Sequence, residues 1–265
     1  MTSVIFDINL LAAITEQRAT DNMRSVLLGL IAGGKSNGLD LPHRLVPYLA
    51  QLSHESAGFK YDREIWGPTA AQRRYDIRTD LGNTPERDGD GQKYAGHTAI
   101  QITGRYNTSK FRDWVWAYVD KSAPDFVDTP HLMNTDPWEG LGPIWYWSSR
   151  NLNKWADSGE FDVVSKKING GYNGYSDRCR RYTRIGLLLL GFNPSDIAGY
   201  QRIAGLRVDG SAGPKTRRSI HEDLLKVGPL SFQDSSKQFA AATKQTKPNT
   251  LMEKIKDFFR FFFPF

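Results

Sequence analysis

The chain has one cysteine, Cys179, in 265 residues. An internal disulfide is therefore impossible, and the fold must be held by its core, as in proteins made in a reducing compartment. Histidine is also scarce, five in all, which leaves little for a structural zinc site. His54-Glu55 begins like the zinc-protease pattern HExxH, but the second histidine would fall at Gly58. No metal ligand set and no organic cofactor is expected. No apolar run approaches the roughly 20 residues of a membrane-spanning helix. The N-terminus, Met1-Thr2-Ser3-Val4-Ile5-Phe6-Asp7, has no basic region before its apolar stretch and carries an early acid, unlike a secretory signal. Synthesis in a cytoplasm, without a signal-dependent exit route, is the expectation.

The bulk composition is ordinary. Hydrophobic residues make up 39% and charged residues 24%, as in a soluble globular chain. The net charge of +6 favours a polyanionic partner: nucleic acid, anionic lipid or an acidic wall polymer. No nucleic-acid motif accompanies the charge, so no nucleic-acid partner is expected.

Strand signals are sparse and the first half reads as helical. Thr20 or Asp21 can cap a helix through Met23, Val26, Leu27, Leu30 and Ile31, stopped by Gly33-Gly34. Asp40 can cap another, with Pro42 in its first turn and Leu45, Leu49 and Leu52 at helical spacing. Pro47 is expected to kink or restart it. Residues 82–96 are rich in glycine, aspartate, proline and asparagine, the composition of a long loop. Its Asp88-Gly89-Asp90-Gly91 lacks the later glutamate of a calcium loop and reads as a turn. Helical patterns resume at 114–119, 141–147, 163–168 and 185–190, and Thr98–Thr103 is the best strand candidate.

The helix predicted after Asp40 carries Glu55 at its end, and Glu64 lies nine positions later, just past a glycine turn. Two carboxyls facing each other across a cleft can cut a glycosidic bond: one protonates the leaving oxygen, the other activates water. Inversion needs roughly 6.5–9.5 Å between them, room for that water. Tyr48, Leu52 and Glu55 share a stripe beside the core positions, so Glu55 is expected at the border of core and cleft. A carboxyl lodged among apolar groups has its neutral form favoured, which suits a general acid. Most glutamate pairs are surface charges, so the weight falls on the segments around and beyond these two.

Six such segments stand out: SHESAGF at 53–59, REIWGP at 63–68, DLGNTP at 80–85, IQITGRYN at 100–107, WYWSSRNLNKWAD at 145–157 and KINGGYNGYSDR at 167–178. In content and order they resemble glycoside hydrolase family 19, the chitinase-related group that includes many phage and prophage endolysins. The resemblance spans most of residues 40–190. It implies a mainly α, lysozyme-like, two-lobed helical catalytic domain over 1–192 with a central cleft. It further implies inverting hydrolysis of β-1,4 links, with Glu55 as general acid and Glu64 as general base. Thr103 would help hold the attacking water, and Gln101 and Asn107 would bind sugar. Asn169 matches an asparagine of the substrate cleft, and Arg178 or Arg181 an arginine near it. Trp66, beside Glu64, offers an aromatic platform for a sugar ring, whereas Trp145 and Trp147 read as core. The chain departs from the pattern at Tyr94-Ala95-Gly96-His97-Thr98-Ala99, where the family has a YRGRG-like stretch. Two arginines and a glycine are missing, and His97 could supply one of the charges when protonated.

Asn193-Pro194-Ser195 reads as a boundary. Residues 195–228, with Gly199-Tyr200-Gln201, Asp209-Gly210 and Gly213-Pro214-Lys215-Thr216-Arg217, resemble a short three-helix peptidoglycan-binding repeat. A small C-terminal helical subdomain is thus expected, then a polar linker over 229–250. In the tail over 251–265, Leu251, Ile255, Phe258, Phe259 and Phe262 form a helical stripe suited to a membrane surface, though too short to span one. The combined expectation is a monomeric endolysin that cuts the glycan strands of peptidoglycan in the wall after release from the host cytoplasm. The alternatives are a chitinase and a catalytically weak wall-binding protein.

Overall fold

The computed structural model describes residues 4–234, and it is mainly helical. The expected membrane-surface tail, 251–265, and most of the 229–250 linker lie outside the described residues. Strand β1 (Ile5–Phe6) leads into α1 (Ile8–Thr15) and α2 (Asp21–Gly29), which runs on as a wider turn over Leu30–Gly34. Then come α3 (Pro42–Glu55), α4 (Ala70–Tyr75), the single turn α5 (Asp90–Lys93) and α6 (Arg105–Tyr118). The second half holds α7 (Trp138–Ser149), α8 (Asn153–Asp157), α9 (Phe161–Asn169) and α10 (Tyr175–Leu189). Helices α11 (Ile197–Ile203) and α12 (Pro214–Leu224) and strand β2 (Ser231–Phe232) complete it.

The central element is α3. Leu45, Val46, Pro47, Tyr48, Leu49 and Leu52 are all buried, so this helix is covered on most sides, chiefly by α10. Pro42 sits in the first turn, where its missing N–H costs nothing. Asp40 is not the cap: Leu41 holds that position and contributes no side-chain bond. Pro47 neither stops nor restarts the helix, which is continuous from Pro42 to Glu55 with the proline ring buried in the core. Trp145 and Trp147 are core residues, with Trp147 edge-on to Tyr48 at 5.5 Å. Helices α2 and α7 cross closely because both are glycine at the crossing. A Cβ on Gly29 would lie 2.2 Å from the Gly140 carbonyl carbon.

The C-terminal helices share this core. Tyr200, Ile220 and Leu224 belong to the same apolar cluster as α3 and α10, and Ile220 fills the space over Gly186. The Asp209-Gly210 turn is held by buried Gln201, whose Oε1 accepts from the backbone N–H of both residues at 3.0 and 2.9 Å. Gly210 takes a left-handed φ of 68° there, a conformation glycine adopts without strain. Residues 230–234, which the sequence places in the linker, are ordered: β2 pairs in parallel with β1, Phe6 meets Phe232 edge-on at 5.8 Å, and Arg24 binds Asp234 at 3.2 Å.

The expected strand over 98–103 is absent. Thr98 and Gln101 have φ of 63° and 58°, which curls the segment into a turn. What remains are single antiparallel bridges, Arg63 to His97 and His97 to Ile102. The expected turn over Asp88–Gly91 and the long loop around it are interrupted: Asp88 and Gly89 bend into α5 at Asp90, with Asp76 accepting from the N–H groups of Gly89 and Gly91 at 3.0 and 2.9 Å.

Candidate active site

Glu55 closes α3 at the edge of the core, its side chain 29% exposed. It is not lodged among apolar groups as expected. Its Oε1 accepts from Arg178 Nη2 at 2.5 Å, and Arg178 on α10 is 2% exposed. The same guanidinium donates to Gln51, one helical turn before Glu55, and to the Asn173 carbonyl at 3.3 Å. Gln51 in turn donates to Ser165 on α9 at 2.6 Å. A buried cation with three acceptors is well compensated. Arg178 therefore lies beneath Glu55 and fixes it, where the sequence placed it as a substrate-binding group. Arg181 likewise turns to Asp177, at 2.6 Å. Asp177 also receives His54 at 2.7 Å. Burial opposes its ionisation, but the bonds from Arg181 and His54 prevail and hold its carboxyl well below the usual range.

Glu64 is held by a different set of donors. Its N–H donates to the Gly96 carbonyl at 2.8 Å, and the Gly96 N–H returns a bond to Oε2 at 3.0 Å. Oε1 accepts from Gln72 Nε2 at 2.9 Å. Gln72 is the third helical residue of α4, in a capping box with Thr69. That Thr-x-x-Gln pattern is visible in the sequence and could have flagged Gln72.

The turn over 98–103 reaches from the Glu64 segment to the last part of α3. Gln101 Oε1 packs over Gly96, where an added Cβ would lie 2.3 Å from it and 3.2 Å from Glu64 Cβ. Its neighbour Ile100 covers a small hollow shared with Gln51, Leu52 and Tyr146 on the Glu55 side. Burial pushes the Tyr146 phenol up, Arg150 opposes this, and the Glu55 charge adds to it. Thr103 donates its hydroxyl proton to the Gln101 carbonyl at 3.0 Å, so its lone pairs are what remain for a water. Asn107 Nδ2 braces the turn through the Thr103 carbonyl at 2.9 Å. Asn169, at the end of α9, donates to the Asn173 carbonyl at 2.8 Å, next to the Arg178 contact. Trp66 is half-buried and packs on Tyr75, ring centres 6.3 Å apart. His97 does not replace a missing arginine charge: burial lowers its pKa, against the bond with Asn134, and its Nε2 has no hydrogen-bond partner among the described residues.

A polar hollow of about 420 Å³ lies elsewhere, lined by Lys35, Asn37, Arg44, Asn151 and Asn153. Arg44 and Glu55 stand at opposite ends of α3, roughly 16 Å apart at 1.5 Å per residue. The paired carboxyls and their donors choose the Glu55–Glu64 region, and chemistry is the better guide.

No family model matches the chain. It is similar to a glycosyl hydrolase family 19 domain-containing protein of Haemophilus influenzae, 29% identical over 163 residues, covering 52% of this chain and 76% of that one. Among solved structures it is similar to chitinase C from Streptomyces griseus, with 19% identity, a TM-score of 0.51, and 71% of this chain and 77% of that chain covered. A bacterial family 19 chitinase gives 18% identity, a TM-score of 0.53, and coverage of 71% and 95%. The structural likenesses show a shared fold. The Haemophilus likeness, in sequence, is to a protein described by its glycosyl hydrolase family 19 domain.

Proposed function

We propose that this protein hydrolyses β-1,4 glycosidic bonds in the glycan strands of bacterial peptidoglycan, with inversion, and serves as a phage or prophage endolysin. One observation carries the reading: Glu55 and Glu64 are each oriented by dedicated donors, and the turn that bears Gln101 and Thr103 packs on the segments that carry both. Glu55 acts as general acid. Arg178 occupies its Oε1, which leaves Oε2 to carry the proton to the leaving oxygen. Glu64 acts as general base. Gln72 and Gly96 each use one lone pair of its two oxygens, and the free lone pairs accept from the attacking water. Thr103 offers that water a second contact, and Gln101 and Asn107 face the sugar.

The basic charge of +6 suits an acidic wall polymer. The repeat-like turn at Asp209-Gly210 favours peptidoglycan over chitin. On this reading the chain is a monomer, made in the host cytoplasm and acting in the wall, with the 251–265 tail touching the membrane surface. Chitin is the second reading, favoured by the structural likeness to two chitinases.

The test compares wild type, Glu55→Gln and Glu64→Gln on outer-membrane-stripped cells and on colloidal chitin. Clearing of cells by wild type alone, with an inverted anomer at the new reducing end, supports the proposal. Sugar release from chitin only moves the substrate to N-acetylglucosamine polymers. Wall binding without cleavage leaves a glycan-binding protein and overturns the enzymatic reading.

A further inference from the structure

Glu64 and Gly96 are far apart in sequence and hold each other through short bonds, yet both lie in irregular backbone. Such segments fluctuate unless a third element pins them. The single-turn helix Pro130–Asn134 supplies one. Asn134 Nδ2 donates to the Asp62 carbonyl at 2.6 Å, two residues before Glu64. On its other side Asn134 Oδ1 meets His97 Nδ1 at 2.6 Å, one residue after Gly96. The amide donor faces Asp62, so the oxygen must accept from His97, and the imidazole carries its proton on Nδ1. His97 is also the backbone hub of the two bridges, to Arg63 and to Ile102. The side-chain pair thus ties the Glu64 segment, the Gly96 segment and the 98–103 turn to one fixed point.

We propose that Asn134 and His97 are positioning residues, a clamp that sets Glu64 in register with the Gln101–Thr103 turn. The inference rests on the glycosidase reading above and deepens it: the position where the family carries an arginine here serves geometry instead of charge. A general base held through two loops loses rate steeply when displaced, about 100-fold for 1 Å.

The test uses the full chain with Asn134→Ala, His97→Leu and the donor-preserving His97→Asn, whose Nδ2 can replace Nδ1–H. Kinetics are read on soluble glycan strands, and amide hydrogen exchange is read at Glu64, whose N–H is bonded to Gly96. We expect Asn134→Ala and His97→Leu to lower kcat about 10- to 100-fold with KM nearly unchanged. Glu64 protection should fall at least about tenfold while α3 and α10 amides hold theirs. His97→Asn should restore both readouts to within about threefold of wild type. Unchanged kcat and protection in Asn134→Ala, equal behaviour of His97→Asn and His97→Leu, or protection lost evenly across the molecule would each overturn the clamp. If wild type turns over no glycan at all, the glycosidase reading fails by itself. Exchange at Glu64 then still decides the clamp, for it when local protection falls and against it when nothing changes.

Discussion

Glu139 is a buried acid that feels the charges of Asp62 and Arg63, just before the proposed general base in sequence, and its titration tests the packing of that region. It lies in the first turn of α7, 5% exposed, and its Oε1 has no hydrogen-bond partner among the described residues. Burial pushes its carboxyl up to about 8, the charges of Asp62 and Asp136 push the same way, and Arg63 opposes them. The unfolded chain ionises near 4.5. Between those values the unfolded state sheds the proton and the folded state keeps it. The stability contribution is therefore whole below pH 4.5 and is lost progressively as pH rises to about 8. At about 1.36 kcal/mol per pH unit, the loss by pH 7 comes to about 3 kcal/mol. Glu139→Gln has nothing to ionise and avoids this loss. Urea unfolding of both proteins at pH 5, 6, 7 and 8 should show the variant gaining on wild type at each step, by about 2–3 kcal/mol between pH 5 and 7. Because an amide also leaves a polar group unpaired, the offset at pH 5 can take either sign, and the slope is what matters. A difference that stays flat with pH, or falls, would refute the buried, proton-bearing state of Glu139.

Other perturbations have equally definite outcomes. Arg178→Lys supplies a point charge that cannot reach Gln51, Glu55 and the Asn173 carbonyl together. It should lower kcat on soluble glycan by at least about tenfold and stability by about 2 kcal/mol, checked by kinetics and urea melts. Gly140→Ala would place a Cβ 1.9 Å from the Ser25 carbonyl oxygen, against backbone that cannot yield cheaply. It should cost about 2–3 kcal/mol in the same melts. Gln201→Leu strands the N–H groups of Asp209 and Gly210. It should cost about 2 kcal/mol and weaken pull-down by purified cell walls, which an intact turn would not do.

The helices are legible where one side chain speaks for itself. Leu45, Leu49 and Leu52 mark the buried face of α3, and Thr20 caps α2 by accepting from the Met23 N–H at 3.2 Å. Motif order also identifies Glu55 and Glu64 as candidates without any coordinates. The misreadings have a common cause. Thr98–Thr103 has strand-like residues, but it takes positive φ at Thr98 and Gln101 and bridges only through His97, whose other bridge partner, Arg63, is remote in sequence. Phe232 looks like part of a polar linker because its partner, Phe6, lies at the other end of the chain.

The same separation governs the candidate site. Gln51 meets Arg178 127 residues away, and Asn134 meets Asp62 72 residues away. A lone asparagine or glutamine carries no period and no motif, so its partner cannot be inferred from its neighbours. Reactive groups on recognisable segments therefore take their positions from residues that no pattern marks. Substitutions at Gln51, Gln72 or Asn134 should lower kcat on soluble glycan while every motif stays intact.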